Sequence, residues 1–277
     1  MHPEITAKSW LMVGILGFVW GATFMQIEIA LDGVPPFWLA HLRLLIAAIV
    51  MGGVWAAMRC PLAIDPHNKP TWWQYLWAGL ISSALPFVLL CWGQTHVTSG
   101  FAGTAMAAVP LVVLPLAHFV VPGETLSARK AIGMGLGFVG VLLLVGDGLF
   151  DPSGSEMEIW GRLACIGVAV CYALNSVSIR RLPPVDPIGL TTMMMIVGAG
   201  LTLPVALLTE GLPPVPTGKP LIALIAVGVV STAAMNLLRV LVIRSAGPTF
   251  LTLVNYQVPV WSVVLGSLVL QEALPPE

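Results

Sequence analysis

Charge is what this sequence has least of. Only 9% of its 277 residues are Asp, Glu, Lys or Arg, while 57% are hydrophobic; an ordinary soluble domain carries roughly a quarter charged residues. Too little polar side chain is left to cover a water-facing globule. The net charge of −1 and the lack of a basic cluster give no electrostatic case for nucleic acid as a partner. Metal and redox spacing is missing from the four cysteines, Cys60, Cys91, Cys165 and Cys171. Three of them fall in apolar stretches, where cysteine serves as a small packing residue. There is no HExxH, no P-loop and no aspartate pair. No catalytic or metal-binding residue is therefore assigned, and no cofactor is expected. His41, His96 and His118 fall in or at the ends of different apolar runs and read as packing residues.

Long apolar runs are what the sequence has instead. Stretches near 20 residues recur, enough to cross a hydrocarbon core about 30 Å thick. Nine spans are read, at 10–31, 37–58, 72–93, 100–121, 128–146, 159–179, 188–208, 221–243 and 249–270. The loops between them are short and rich in turn formers, as at Val34-Pro35-Pro36 and Leu182-Pro183-Pro184. The expectation is an all-α polytopic membrane protein whose surroundings are the lipid bilayer. The first run has one lysine before it and no small-residue cleavage site, so it reads as a retained helix. Lys8, Arg59, Lys69, Arg129, Lys130, Arg180, Arg181 and Arg244 collect on one side, with Arg162 and Lys219 on the other. Positive charge favours the cytoplasm, which puts the N-terminus inside.

The chain repeats itself. Val109-Pro110 followed by Gly123-Glu124-Thr125-Leu126 returns as Val258-Pro259 followed by Gln271-Glu272-Ala273-Leu274, with the prolines 149 residues apart. The same shift puts Gly79 on Gly228 and Ser82 on Ser231, and a shift of 151 puts Ala22 on Ala173 and Pro36 on Pro187. Such periodicity means two copies of one unit. A first repeat over 1–148 holds five helices and a second over 157–277 holds four. Five is odd, so the second copy enters the membrane from the opposite side. Inverted repeats of this kind are a hallmark of secondary transporters. A tenth helix is expected after Gln271-Glu272-Ala273-Leu274, and the sequence ends at Glu277 before it.

Several of these residues resemble the drug/metabolite transporter (DMT) superfamily, in its ten-helix members built from two EamA-type units. They are Val19-Trp20-Gly21-Ala22-Thr23-Phe24, Arg43, Val109-Pro110, Gly123-Glu124-Thr125-Leu126-Ser127, and Gly133, Gly137 and Gly140. The resemblance implies a central cavity between two inverted five-helix units. It also implies export of amino acids, other metabolites or drugs across the bacterial inner (plasma) membrane. Some members it resembles are aromatic amino-acid exporters. The second unit departs from the pattern, with Cys171, Asn175 and Met194 where the first has Trp20, Phe24 and Arg43. Any site should be asymmetric.

Candidate site residues follow from cost. Glu28 is the one carboxylate well inside a span, and ionised groups in hydrocarbon are expensive. With Trp20 and Phe24 it forms an i, i+4, i+8 stripe, so it either titrates at a cavity end or snorkels to the interface. Arg43 lies at a similar depth and either pairs with Glu28 or caps carbonyls; Arg239, near a span end, reads as a snorkelling residue. Pro86, Pro110, Pro115, Pro204 and Pro259 interrupt spans. Pro110 and Pro259, the repeated pair, are read as hinges or cavity breaks, against packing kinks. Trp20, Phe24, Phe87 and Trp92 would oppose Tyr172, Asn175, Asn236 and Tyr256. That amphipathic wall suits small organic solutes better than an ion-sized pore. A secondary exporter of amino acids or similar metabolites is the expectation, powered without an ATP-binding domain and workable as a monomer. A channel, or a membrane-embedded enzyme acting on a lipid carrier, is the alternative.

Overall fold

Helix ends in this chain are chosen by side chains that replace missing backbone partners. Thr6 accepts a hydrogen bond from the Ser9 amide at 3.3 Å and opens α1, Ala7–Leu31. Pro36, whose absent N–H costs nothing at a helix start, opens α2, Pro36–Met58. Thr71 and Gln74 form a reciprocal capping box before α3, Trp72–Gly93. Thr98 caps α4, which runs through Ser99–Ala105, a 3-10 turn at Met106–Ala108, and Val109–Val120. α5 is Glu156–Arg181. Asp186 accepts from the Ile188 and Gly189 amides and starts α6, Pro187–Glu210. α7 runs through Gly218–Ala226, Val227–Ala234 and Met235–Ala246; a one-turn helix, Pro248–Leu251, leads to α8, Val254–Leu270.

This computed structural model describes residues 5–62, 64, 67–120, 156–246 and 248–271, with isolated helical positions between 128 and 139. The chain is all-helical among them. Seven helices, α1 to α7, contain a stretch long and apolar enough to cross a membrane, and α8 is a shorter apolar helix of 17 residues. The expected fifth span at 128–146, the turn at 123–127 and the chain end from 272 lie largely or wholly outside the described residues. Large apolar side chains such as Leu11, Ile15, Phe18, Ile49 and Leu163 are exposed on the helical surface, as a lipid-facing exterior requires.

The repeat is visible in the backbone. Both α3 and α7 widen into a π segment, Leu80–Ala84 in one and Val227–Ala234 in the other. Ser82 and Ser231 hold matching places in these segments. Just before or within them, Gly79 and Gly228 admit a branched side chain from the opposite half. A Cβ on Gly79 would come within 2.6 Å of Val197 Cβ on α6, and one on Gly228 within 2.8 Å of Ile46 Cβ on α2. Ile46 and Val197 are themselves related by the 151-residue shift. Each half thus inserts the same residue position into the same glycine of the other half, as a pseudo-two-fold arrangement demands.

Contacts between elements follow the same exchange. α2 packs along α6, α1 packs on α7 and α8, and α5 packs on α3 and α4. At one end of the α2–α6 pair, the Glu210 carboxylate accepts from the Phe37 and Trp38 amides at 3.1 and 2.8 Å. A negative group there offsets the positive end of α2.

Candidate functional site

Proline has no N–H, so the carbonyl four residues before it loses its helical donor. For Pro86, Pro110 and Pro259 that earlier residue is Ser82, Met106 and Asn255, and all three line one central cavity. For Pro115 and Pro204 it is Leu111 and Gly200, and neither lines it. Three of the five helix breaks therefore border the same space. Pro110 and Pro259 themselves are buried, and the valines before them, Val109 and Val258, form part of the wall.

The cavity measures about 110 Å³, room for several waters or part of a small organic solute. Its aromatic side is Trp20 and Phe24 of α1 with Phe87 of α3. The same wall includes Tyr172 and Ser176 of α5 and Ser231, Asn236 and Arg239 of α7. α6 contributes nothing to the wall; its Met194, which takes the place of Arg43 in the second repeat, is fully buried in packing.

Polar connections converge on the π segment of α7. The Trp20 indole N–H donates to the Ser231 carbonyl at 3.2 Å, and Ser231 Oγ donates to Gln26 Oε1 at 3.1 Å. Asn236 Nδ2 donates to the Thr232 carbonyl at 2.7 Å. Thr232 Oγ1 donates to the Val227 carbonyl at 2.8 Å and accepts from Arg43 Nε and Nη2 at 3.2 and 3.1 Å. A π turn leaves backbone groups off the α-helical ladder, which is why such turns gather at working sites. Gln94, buried after α3, donates to the Phe24 carbonyl at 2.9 Å and steadies the aromatic side.

Both arginines in the wall are buried, Arg43 to 3% and Arg239 to 8% exposure. The Arg43 guanidinium carbon lies 3.9 Å above the Phe87 ring centre, a cation–π contact. Its Nη1, and the Nε and Nη2 of Arg239, reach no hydrogen-bond acceptor.

Six of the ten anticipated contact residues meet here: Trp20, Phe24, Arg43, Phe87, Tyr172 and Asn236. The other four lie elsewhere. Glu28 is half-buried off the cavity, because an i, i+4, i+8 stripe turns by about 80° over its length. Trp92 packs edge-on against His96 at 4.8 Å. Asn175 is buried between the lining positions Tyr172 and Ser176, on another side of α5. Tyr256 is 49% exposed on the outer surface of α8, and its neighbour Asn255 takes the cavity position. Arg239 departs from the snorkelling expectation: its side chain is buried to 8% exposure and lines the cavity. Ser82 and Ser231 were visible in the sequence as a repeated pair, without a sign that they face a cavity.

A helical bundle with a polar-and-aromatic cavity lined from two related halves is the architecture of a polytopic membrane transporter. The EamA-like transporter family matches residues 8–146 and 159–276, and the chain belongs to that family. Among relatives, the chain is 25% identical to the Uncharacterized transporter YvbV of Bacillus subtilis (strain 168), over 96% of this chain and 85% of that one. It is 28% identical to the Uncharacterized inner membrane transporter YedA of Escherichia coli (strain K12), over 91% and 79%. It is 24% identical to a protein of Chlamydia trachomatis serovar L2 named S-adenosylmethionine/S-adenosylhomocysteine transporter, over 96% and 83%. A crystal structure of a further protein shares the fold, with a TM-score of 0.71 at 21% identity across 98% of this chain and 91% of the other.

Proposed function

We propose that this protein exports amino acids or related small amphipathic metabolites from the cytoplasm across a bacterial inner membrane, by alternating access. The carrying observation is the central cavity, lined from both halves by aromatic rings interleaved with hydroxyl, amide and guanidinium groups. The repeats 1–148 and 157–277 are the two bodies that rock, and Pro110 and Pro259 are the places where their helices bend. Trp20, Phe24, Arg43, Phe87, Tyr172 and Asn236 hold the solute. The Chlamydia relative's named substrate joins an amino-acid end to a purine, a combination that suits such a wall. The positive-inside count supports a cytoplasmic N-terminus.

The test is counterflow. The purified full chain in liposomes, without ATP, should exchange labelled amino acids or S-adenosylmethionine saturably across a concentration panel. Trp20→Ala should slow that exchange roughly tenfold or more, because it removes both a ring and the bond to Ser231. An unsaturable ion current with no solute exchange would replace the transporter reading with a channel.

A further inference from the structure

Building on the reading of the cavity as the solute site, we propose that Arg43 and Arg239 make it an anion-binding site selective for organic carboxylates. Arginine stays protonated at any accessible pH, so both groups bring full positive charge into the membrane-embedded cavity. Neither charge is met in the wall, where no lining residue is Asp or Glu. The acceptor that Arg43 does have, the Thr232 hydroxyl, is neutral and takes two of its five N–H donors. Nη1 of Arg43 and two nitrogens of Arg239 are left without an acceptor, although both side chains are more than nine-tenths buried. Buried charged donors in that condition mark a place where an acceptor belongs.

The two guanidinium groups are carried by different halves, Arg43 by α2 and Arg239 by α7, with the Phe87 ring stacked under the first. A carboxylate takes guanidinium N–H groups in pairs, which an inorganic cation or a neutral solute cannot do. The aromatic rings beside the arginines select an anion with an apolar body over a bare inorganic one. An ammonium group would find only neutral acceptors in the same wall, namely Ser, Thr, Tyr and Asn side chains. Removing the negative charge of a substrate should therefore cost far more than removing its positive charge.

Competition counterflow on the full chain reads this directly. The probes are phenylalanine, methionine and S-adenosylmethionine, each beside its carboxamide and its N-acetyl derivative, with inorganic phosphate as a further arm. At least one acid should exchange, its N-acetyl form should compete within a few-fold, and its carboxamide should compete roughly tenfold more weakly or worse. Phosphate should compete poorly. Arg43→Gln and Arg239→Gln should each flatten the acid-to-amide ratio, and Arg43→Lys and Arg239→Lys should restore part of it. A monodisperse elution profile shows that each variant folds. A carboxamide that competes as well as its acid against the unmodified protein overturns the anion site and leaves transport standing. Exchange of none of the acids overturns both readings. Phosphate outcompeting every carboxylate overturns the organic-acid class.

Discussion

Thr232 is a single hydroxyl shared by two obligations. It donates to the carbonyl five residues earlier, within the π segment, and it accepts from two nitrogens of Arg43. Valine has nearly the same shape and can do neither. Thr232→Val should lower stability by about 1–3 kcal/mol, the cost of leaving a buried charged donor unmet, and raise the KM for exchange severalfold. Thr232→Ser should behave as the parent protein; melting in detergent and counterflow report the two effects. Residue roles were only partly legible in the sequence. Arg43, Trp20 and Phe24 stood out because charge and large rings inside an apolar run are costly or conspicuous. Tyr256 and Asn255 are adjacent and both polar, and only one meets the cavity. Helices bordered by lipid on one side and by packed side chains on the other are apolar all round, so periodicity does not tell which way a given residue faces. Arg239 was read as snorkelling from its nearness to the span end, and its burial against the other helices is a tertiary fact that run length does not carry.

Elements carry the symmetry, and glycine makes it testable. Gly79→Leu and Gly228→Leu should each destabilise the fold, by about 1–3 kcal/mol or more, since both would drive a side chain into a branched partner of the other half. The two losses should be alike in size because the contacts are exchanged copies. Gly14→Ala is the control: nothing stands within 4 Å of a Cβ there, and alanine's better helix propensity should leave stability unchanged or raise it by up to about 1 kcal/mol. Thermal melts of the four proteins decide this. The order of apolar helices among the described residues was readable from run length and turn formers. The π segments were not. A widened turn has the same composition as the helix around it, and the matched Gly-x-x-Ser at 79–82 and 228–231 marks its position only in retrospect.

For the whole molecule, an inverted pair of halves would present opposite ends to the two sides of the bilayer. Orientation is then a single choice with a direct readout. Cysteine placed at exposed Lys219 should react with a membrane-impermeant maleimide in intact cells, and cysteine at exposed Lys69 only after permeabilisation. Cys60→Ser removes the least buried native thiol and keeps the background low. The reverse pattern would overturn the cytoplasmic placement of the N-terminus. The paired π segments add a constraint of their own. They lie beside the same glycine and the same serine in corresponding helices of the two halves. A π turn takes backbone groups off the α-helical ladder, so the place where each of these helices is least held by its own hydrogen bonds is repeated in the other half.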